Sequence, residues 1–306
     1  MRTLLFILFS SGFGFGSYAQ TTPVSSREEV IYGHKDGLAM TMVVLKPQKS
    51  NNRGIINLVS GNWASSLDAL DGWVKISQIY VDAGYTVFIV AHGSQPRYSI
   101  TDAASDLRRA VRFIRFHATG FGISPDHIGI IGGSSGGHLA LLAGLDDNQG
   151  NPNAKDSVDR VSGKVQAVCC FFPPTDFLNF GQEGFSPVFN KEFLQSMELL
   201  GAFAFTEMDT VKKVYVEITD RARVESILKS ISPTNLVSSD DPPVLIWHGD
   251  ADKLVPLQQS QLLQKKMQAA KVPFELKVKQ GGDHGWKNMM QDEKEFVKWF
   301  DKYLKG

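Results

Sequence analysis

Apolar positions in this chain recur in two rhythms that alternate along its length. Short runs of alternating or continuous apolar residues predict strands at Val30 to Tyr32, Ala39 to Leu45, Ile55 to Val59, Tyr85 to Val90, Pro125 to Ile131, Val165 to Phe172, Val244 to Trp247 and Phe274 to Val278. Between them, helical spacing predicts helices around Trp73 to Val81, from Thr101 to Arg115, and over His138 to Leu145, Leu257 to Ala270 and Gln291 to Leu304. In the second of these, Leu107, Ala110, Val111 and Ile114 share one face and arginines the other, which reads as a solvated helix face. The first two strands flank Asp36-Gly37, a pair suited to a tight hairpin, so the sheet opens antiparallel. Beyond that point, strands alternating with helices predict a mostly parallel sheet covered on both faces, an α/β fold.

One stretch breaks the rhythm. Pro173 to Pro243 is far longer than a compact crossover needs, and helical patterns at Lys191 to Phe203 and Ala222 to Ile231 mark it as structured. An insertion here would lie over the C-terminal edge of the sheet, where open α/β folds bind ligands, so it reads as a cap spanning about 173–243. Its phenylalanines, Phe177, Phe180, Phe185, Phe189, Phe193, Phe203 and Phe205, read as the cap's own core. Polar residues 146–163 read as a surface loop.

Composition narrows the picture little. The 306 residues, 42% hydrophobic, suffice for one large core, and no repeat or second-domain linker is visible. With 32 basic and 32 acidic residues the net charge is zero, which gives no footprint for nucleic acid or an anionic membrane. Arg2, the apolar run Leu4 to Phe9 and Ser17-Tyr18-Ala19 form a signal-peptide pattern cut after Ala19, so residues 1–19 are a leader and 20–306 the mature domain. Glycines and serines interrupt the apolar run too early for a membrane span, so no stable membrane insertion is expected after processing, and the destination is periplasmic or extracellular. Cys169 and Cys170 are adjacent in a predicted strand and read as small buried hydrophobes. No Cys and His spacing suits a metal, and no cofactor is expected.

The chemistry lies at the strand ends. Ile128 to Ile131 stops at Gly132-Gly133-Ser134-Ser135-Gly136-Gly137, and a helical pattern begins at once. This is the sequence form of a nucleophile elbow, in which a serine sits on a sharp strand-to-helix turn between residues small enough for close approach. Gly132 and Gly136 frame Ser134, and Gly133 and Gly137 frame Ser135 equally well. A serine hydroxyl needs a histidine to take its proton, and the histidine an acid to fix its tautomer. Downstream, Asp250 and Asp252 follow the strand ending at Trp247, and His284 follows the strand ending at Val278, in the order Ser, Asp, His expected of this fold. His138 and His248 read as structural, and His92 as a turn or substrate-rim residue.

These motifs resemble those of the α/β-hydrolase superfamily, in particular its acetyl-esterase and feruloyl-esterase-like branch and the catalytic domain of prolyl-oligopeptidase-type peptidases. Gly132-Gly133-Ser134-Ser135-Gly136-Gly137-His138-Leu139-Ala140 looks like that branch's Gly-x-Ser-Ala-Gly-Gly-His-Leu-Ala elbow and implies Ser134 as nucleophile. His248-Gly-Asp-Ala-Asp252-Lys-Leu-Val-Pro256 and Gly281-Gly-Asp-His284-Gly-Trp286 resemble its acid and histidine loops, implying Asp252 and His284. The branch carries His-Gly-Gly-Gly-Trp after an early strand where this chain has Ser60-Gly61-Asn62-Trp63. The expected oxyanion hole therefore combines the backbone N–H of Ser135 with the Gly61-Asn62 loop, the Asn62 amide being a further candidate donor. The expected activity is hydrolysis of small or saccharide esters through an acyl-enzyme. A prolyl-oligopeptidase-like peptidase would need a large N-terminal exclusion domain, and the residues before Ser134 are all required for the sheet. A binding protein without chemistry would have lost one of the three residues.

Overall fold

The computed structural model describes residues 26–305; the leader expected at 1–19 lies outside them. In chain order the elements are β1 (Ser26–Lys35), β2 (Leu38–Lys46), β3 (Gly54–Leu58), α1 (Leu70–Asp82), β4 (Thr86–Val90), α2 (Ile100–Phe116), a single turn α3 (Ala118–Phe121), β5 (Ile128–Gly133) and α4 (Ser135–Leu145). They continue with β6 (Ala167–Phe171), α5 (Lys191–Ser196), β7 (Thr206–Asp209), β8 (Val214–Glu217), α6 (Arg221–Ser230), β9 (Val244–Gly249), α7 (Gln258–Ala269), β10 (Phe274–Lys279) and α8 (Met289–Tyr303). One sheet runs in the order β1-β2-β4-β3-β5-β6-β9-β10. β1, β2 and β4 pair antiparallel, and every pair from β4 across to β10 is parallel. Asp36 and Gly37, with φ of 50° and 79°, make the tight β1–β2 turn, since both positions demand the left-handed region.

Strand residues point alternately to two apolar layers. Val44, Ile56, Phe88, Val90, Ile130 and Cys170 face α2, α4 and α7, whereas Val43, Ile55, Val87, Ile89, Ile131 and Cys169 face α1 and α8. Being buried on both sides, β3 and β4 are apolar almost throughout, as parallel strands must be. Both thiols are free and fully buried, and burial pushes each well above its ordinary pKa.

Three expectations are corrected. The arginines of α2 are not a solvated face: Arg112 donates to Val161 O and Asn148 Oδ1, and Arg115 to the carbonyls of Pro125, Ser162 and Lys164. They fasten the 146–164 segment, whose carbonyls would otherwise turn to water. The helix expected over 191–203 stops at Ser196, because Glu198 takes a left-handed φ of 57° and the chain turns back, Leu199 N donating to Leu194 O at 2.8 Å. The phenylalanines of the inserted segment divide: Phe177 and Phe205 are buried, whereas Phe185 and Phe193 are exposed. The β7–β8 hairpin had no pattern that predicted it.

The inserted segment rests on loops that leave the C-terminal ends of β3 and β4. Phe203 packs edgewise and Phe177 at a tilt on Trp63, Ile100 N donates to Ala202 O at 3.0 Å, and Gln95 Nε2 bridges Asn62 O and Glu198 O at 3.1 and 2.6 Å.

Candidate active site

Ser134 sits between β5 and α4 with φ 53° and ψ −123°, a conformation that costs a non-glycine residue energy and persists only when its surroundings impose it. Its N–H donates to Phe171 O at 2.9 Å, and its carbonyl accepts from His138 N at 2.9 Å, so the turn is held from the sheet and from the helix. A Cβ on Gly132 would come within 2.3 Å of Gly136 O, which is why the strand can meet the helix only with glycine here. The two serines differ in the same geometry. Ser134 is partly exposed, whereas Ser135 is buried and its hydroxyl pairs with that of Ser60 at 3.1 Å.

The ends of β9 and β10 bring two more side chains to Ser134. The Ser134 hydroxyl donates to His284 Nε2 at 2.9 Å, and His284 Nδ1–H donates to Asp252 Oδ2 at 2.8 Å, the tautomer being assigned from these partners. Asp252 Oδ1 accepts the N–H groups of Leu254 and Val255, both at 2.9 Å, so the carboxylate is fixed at each oxygen. Burial acts to raise the Asp252 pKa, but hydrogen bonds from His248 and His284 outweigh it and hold the carboxyl well below the usual range. Asp250 is turned elsewhere, its Oδ1 accepting Gly281 N–H at 2.7 Å. His248 is fully buried, with Nδ1 2.7 Å from Ser260 Oγ and Nε2 2.8 Å from Val255 O and 3.4 Å from Asp252 Oδ2, so it backs the acid loop from beneath.

Two neighbours escaped the sequence reading. Asp283 Oδ1 accepts from Lys253 N at 3.1 Å and His284 N at 2.9 Å, stitching the acid loop to the histidine loop. Phe172, at φ 37°, lays its ring 4.3 Å from the His284 imidazole and 5.8 Å from Trp286. No glycine marks that position, so its strain carried no sequence signal. His92 is corrected: it is 6% exposed, with Nδ1 2.8 Å from Gly93 O, and burial lowers its pKa, which places it beneath the surface and away from a substrate rim.

Gly61 is corrected as an oxyanion donor. Its N–H is spent on Ala64 O at 2.9 Å, and Ala64 N returns a bond to Gly61 O at 2.8 Å. Asn62 and Trp63 follow at φ 52° and 54°, and among the described residues neither of their backbone N–H groups has a partner, nor has that of Ser135. The Asn62 side chain leans on the inserted segment, Nδ2 to Met197 O at 3.5 Å. Asn62→Gly is accordingly expected to keep turnover within about threefold, because it retains the backbone donor and relieves the positive φ. A steady-state rate 100-fold lower would assign the amide itself to the oxyanion. Among the described residues no His, Cys, Asp and Glu cluster could hold a metal ion, and no helix is long and apolar enough to cross a membrane.

A serine on a strand-to-helix elbow, in a mostly parallel sheet, with an acid and a histidine on loops after later strands, defines an α/β-hydrolase fold. The BD-FAE family model matches residues 42–267, and the chain belongs to that family. It is 28% identical over 179 residues to the probable carboxylic ester hydrolase LipM of Mycobacterium tuberculosis, covering 58% of this chain and 36% of the relative. It is 26% identical over 206 residues to esterase LipQ of the same organism, covering 67% and 43%. The chain thus spans less than half the length of these two curated relatives. A truncated carbohydrate esterase from gut microbiota superposes with a TM-score of 0.72 at 25% identity, covering 94% of this chain and 98% of that one.

Proposed function

We propose that this chain is an exported serine hydrolase that cleaves carboxylic esters through an acyl-enzyme, with acetyl or feruloyl esters of saccharides as its substrate class. The observation that carries the reading is the continuous Ser134–His284–Asp252 chain of hydrogen bonds at 2.9 and 2.8 Å. As Ser134 Oγ bonds to the acyl carbon, its proton passes to His284 Nε2, and the Asp252 carboxylate stabilises the imidazolium. The carbonyl electrons move to oxygen, where the N–H groups of Ser135 and the Asn62 loop meet the charge. Collapse expels the alcohol, which takes the proton from His284. Water, deprotonated by His284, then attacks the acyl-enzyme; collapse of the second tetrahedral adduct releases the acid, and Ser134 takes the proton back.

The inserted segment 173–243 serves in this reading as a cap whose contact with Trp63 closes one side of the site. The esterase relatives support ester hydrolysis, the carbohydrate esterase neighbour supports the saccharide class, and the leader pattern at 1–19 supports export. The purified mature chain is expected to hydrolyse nitrophenyl acetate and acetylated or feruloylated saccharides, and to leave aminoacyl-anilides intact. Cleavage of the anilides alone would transfer the assignment to a peptidase.

A further inference from the structure

Asn62 and Trp63 are consecutive residues in the left-handed region, an arrangement that a non-glycine loop does not keep without restraint. The restraint is visible at the Trp63 side chain. Its indole Nε1–H donates to His138 Nδ1 at 3.1 Å, and the other ring nitrogen of His138 donates to Ile231 O at 2.7 Å. This pair of bonds requires a neutral imidazole with its proton on Nε2, because a second proton would face the indole N–H. His138 is fully buried, and desolvation lowers its pKa to about 4, in keeping with that requirement. It stands one turn beyond Ser134 on α4, and its own N–H bonds Ser134 O. The ring also packs edgewise on Trp63 at 5.6 Å and Phe177 at 5.1 Å.

One imidazole therefore joins three parts that chemistry would need in register: the elbow helix, the loop with free N–H groups, and the end of the inserted segment. We propose that His138 is a positioning residue for the oxyanion hole, acting through Trp63 to hold the Asn62 loop at its distance from Ser134. The proposal rests on the serine-hydrolase reading above. It accounts for a buried polar group that neither the acid–base chemistry nor the core requires, since an apolar side chain would fill the same space without satisfying either partner.

The test compares Trp63→Phe, His138→Leu and His138→Gln by steady-state hydrolysis of nitrophenyl acetate, binding of an alkyl boronic acid, and fluorophosphonate labelling of Ser134. Trp63→Phe keeps a ring against Phe177 and Phe203 and deletes the donor together with part of the indole's bulk, so His138→Gln, which leaves the indole in place, is read beside it. Trp63→Phe is expected to lower kcat about 10- to 100-fold, short of the roughly 100- to 1,000-fold of losing an oxyanion donor outright. Boronate affinity should fall in parallel, since its oxygen occupies the oxyanion position, while KM stays within about threefold. His138→Gln, whose amide offers one acceptor and one donor, should recover part of what His138→Leu loses. A folded Trp63→Phe enzyme with wild-type kcat and boronate affinity overturns the proposal, as does a change confined to KM. Should His138→Leu fail to fold, Trp63→Phe and His138→Gln decide. If the wild-type chain itself resists labelling, the serine-hydrolase reading falls, and this proposal with it; if wild type and Trp63→Phe label at equal rates, only the relay falls.

Discussion

Ser134→Ala is expected to lower turnover by about five to six orders of magnitude, because the hydroxyl and the histidine it serves act as a unit and either loss removes most of the covalent pathway. What survives is the contribution of binding and the oxyanion donors alone. The neighbouring substitution supplies the contrast. Ser135 keeps its backbone N–H in Ser135→Ala and forfeits only the hydroxyl bond to Ser60, so a loss within about tenfold is expected for one buried neutral hydrogen bond. Digestion and mass mapping after fluorophosphonate treatment should find the adduct on the peptide position of Ser134. An adduct on Ser135, or a Ser134→Ala enzyme with ordinary turnover, would place the nucleophile elsewhere.

Asp252→Asn should cost about 10,000-fold in kcat with little change in KM. The carboxylate accepts the His284 Nδ1 proton and two backbone N–H groups, and an amide can keep the backbone pair only by turning its NH2 toward the histidine. The imidazole would then carry its proton on Nε2 and could no longer accept from Ser134. Asp250→Asn is the informative control, since an amide oxygen still accepts from Gly281 N and turnover should stay within about threefold. Turnover measured beside the thermal midpoint of each variant separates catalysis from folding. If Asp250→Asn proves the more damaging at equal stability, the acid has been misassigned.

Where the sequence spoke clearly, it did so through sterics. The elbow was readable because Gly132 has no room for a Cβ, and the β1–β2 turn because Asp36-Gly37 suits its backbone. The central strands were readable because burial on both faces leaves them apolar. The failures have other causes, and for the arginines of α2 the deciding partner was remote in sequence. Arg112 and Arg115 look solvated until the carbonyls of 161, 162 and 164 arrive. Gly61 looks like a donor until Ala64 closes on it, and Phe172 and Glu198 adopt positive φ with no glycine to announce it. The β7–β8 hairpin exposes Met208, Val211, Val214 and Tyr215, so no inward-facing period marks its strands. His138 was read as structural from its place in the chain, and its two hydrogen bonds became visible only with Trp63 and Ile231 beside it.

The adjacent thiols offer something the fold did not need them for. Cys169 and Cys170 point into opposite layers, one toward α1 and α8, the other toward α2, α4 and α7 with its Sγ 3.4 Å from Gly137 O. A membrane-permeant alkylating reagent can reach either only when its layer opens, so the two residues act as built-in clocks on two halves of one molecule. Their relative labelling rates, read from a single peptide, report whether the layer behind the elbow breathes independently of the layer behind the terminal helix.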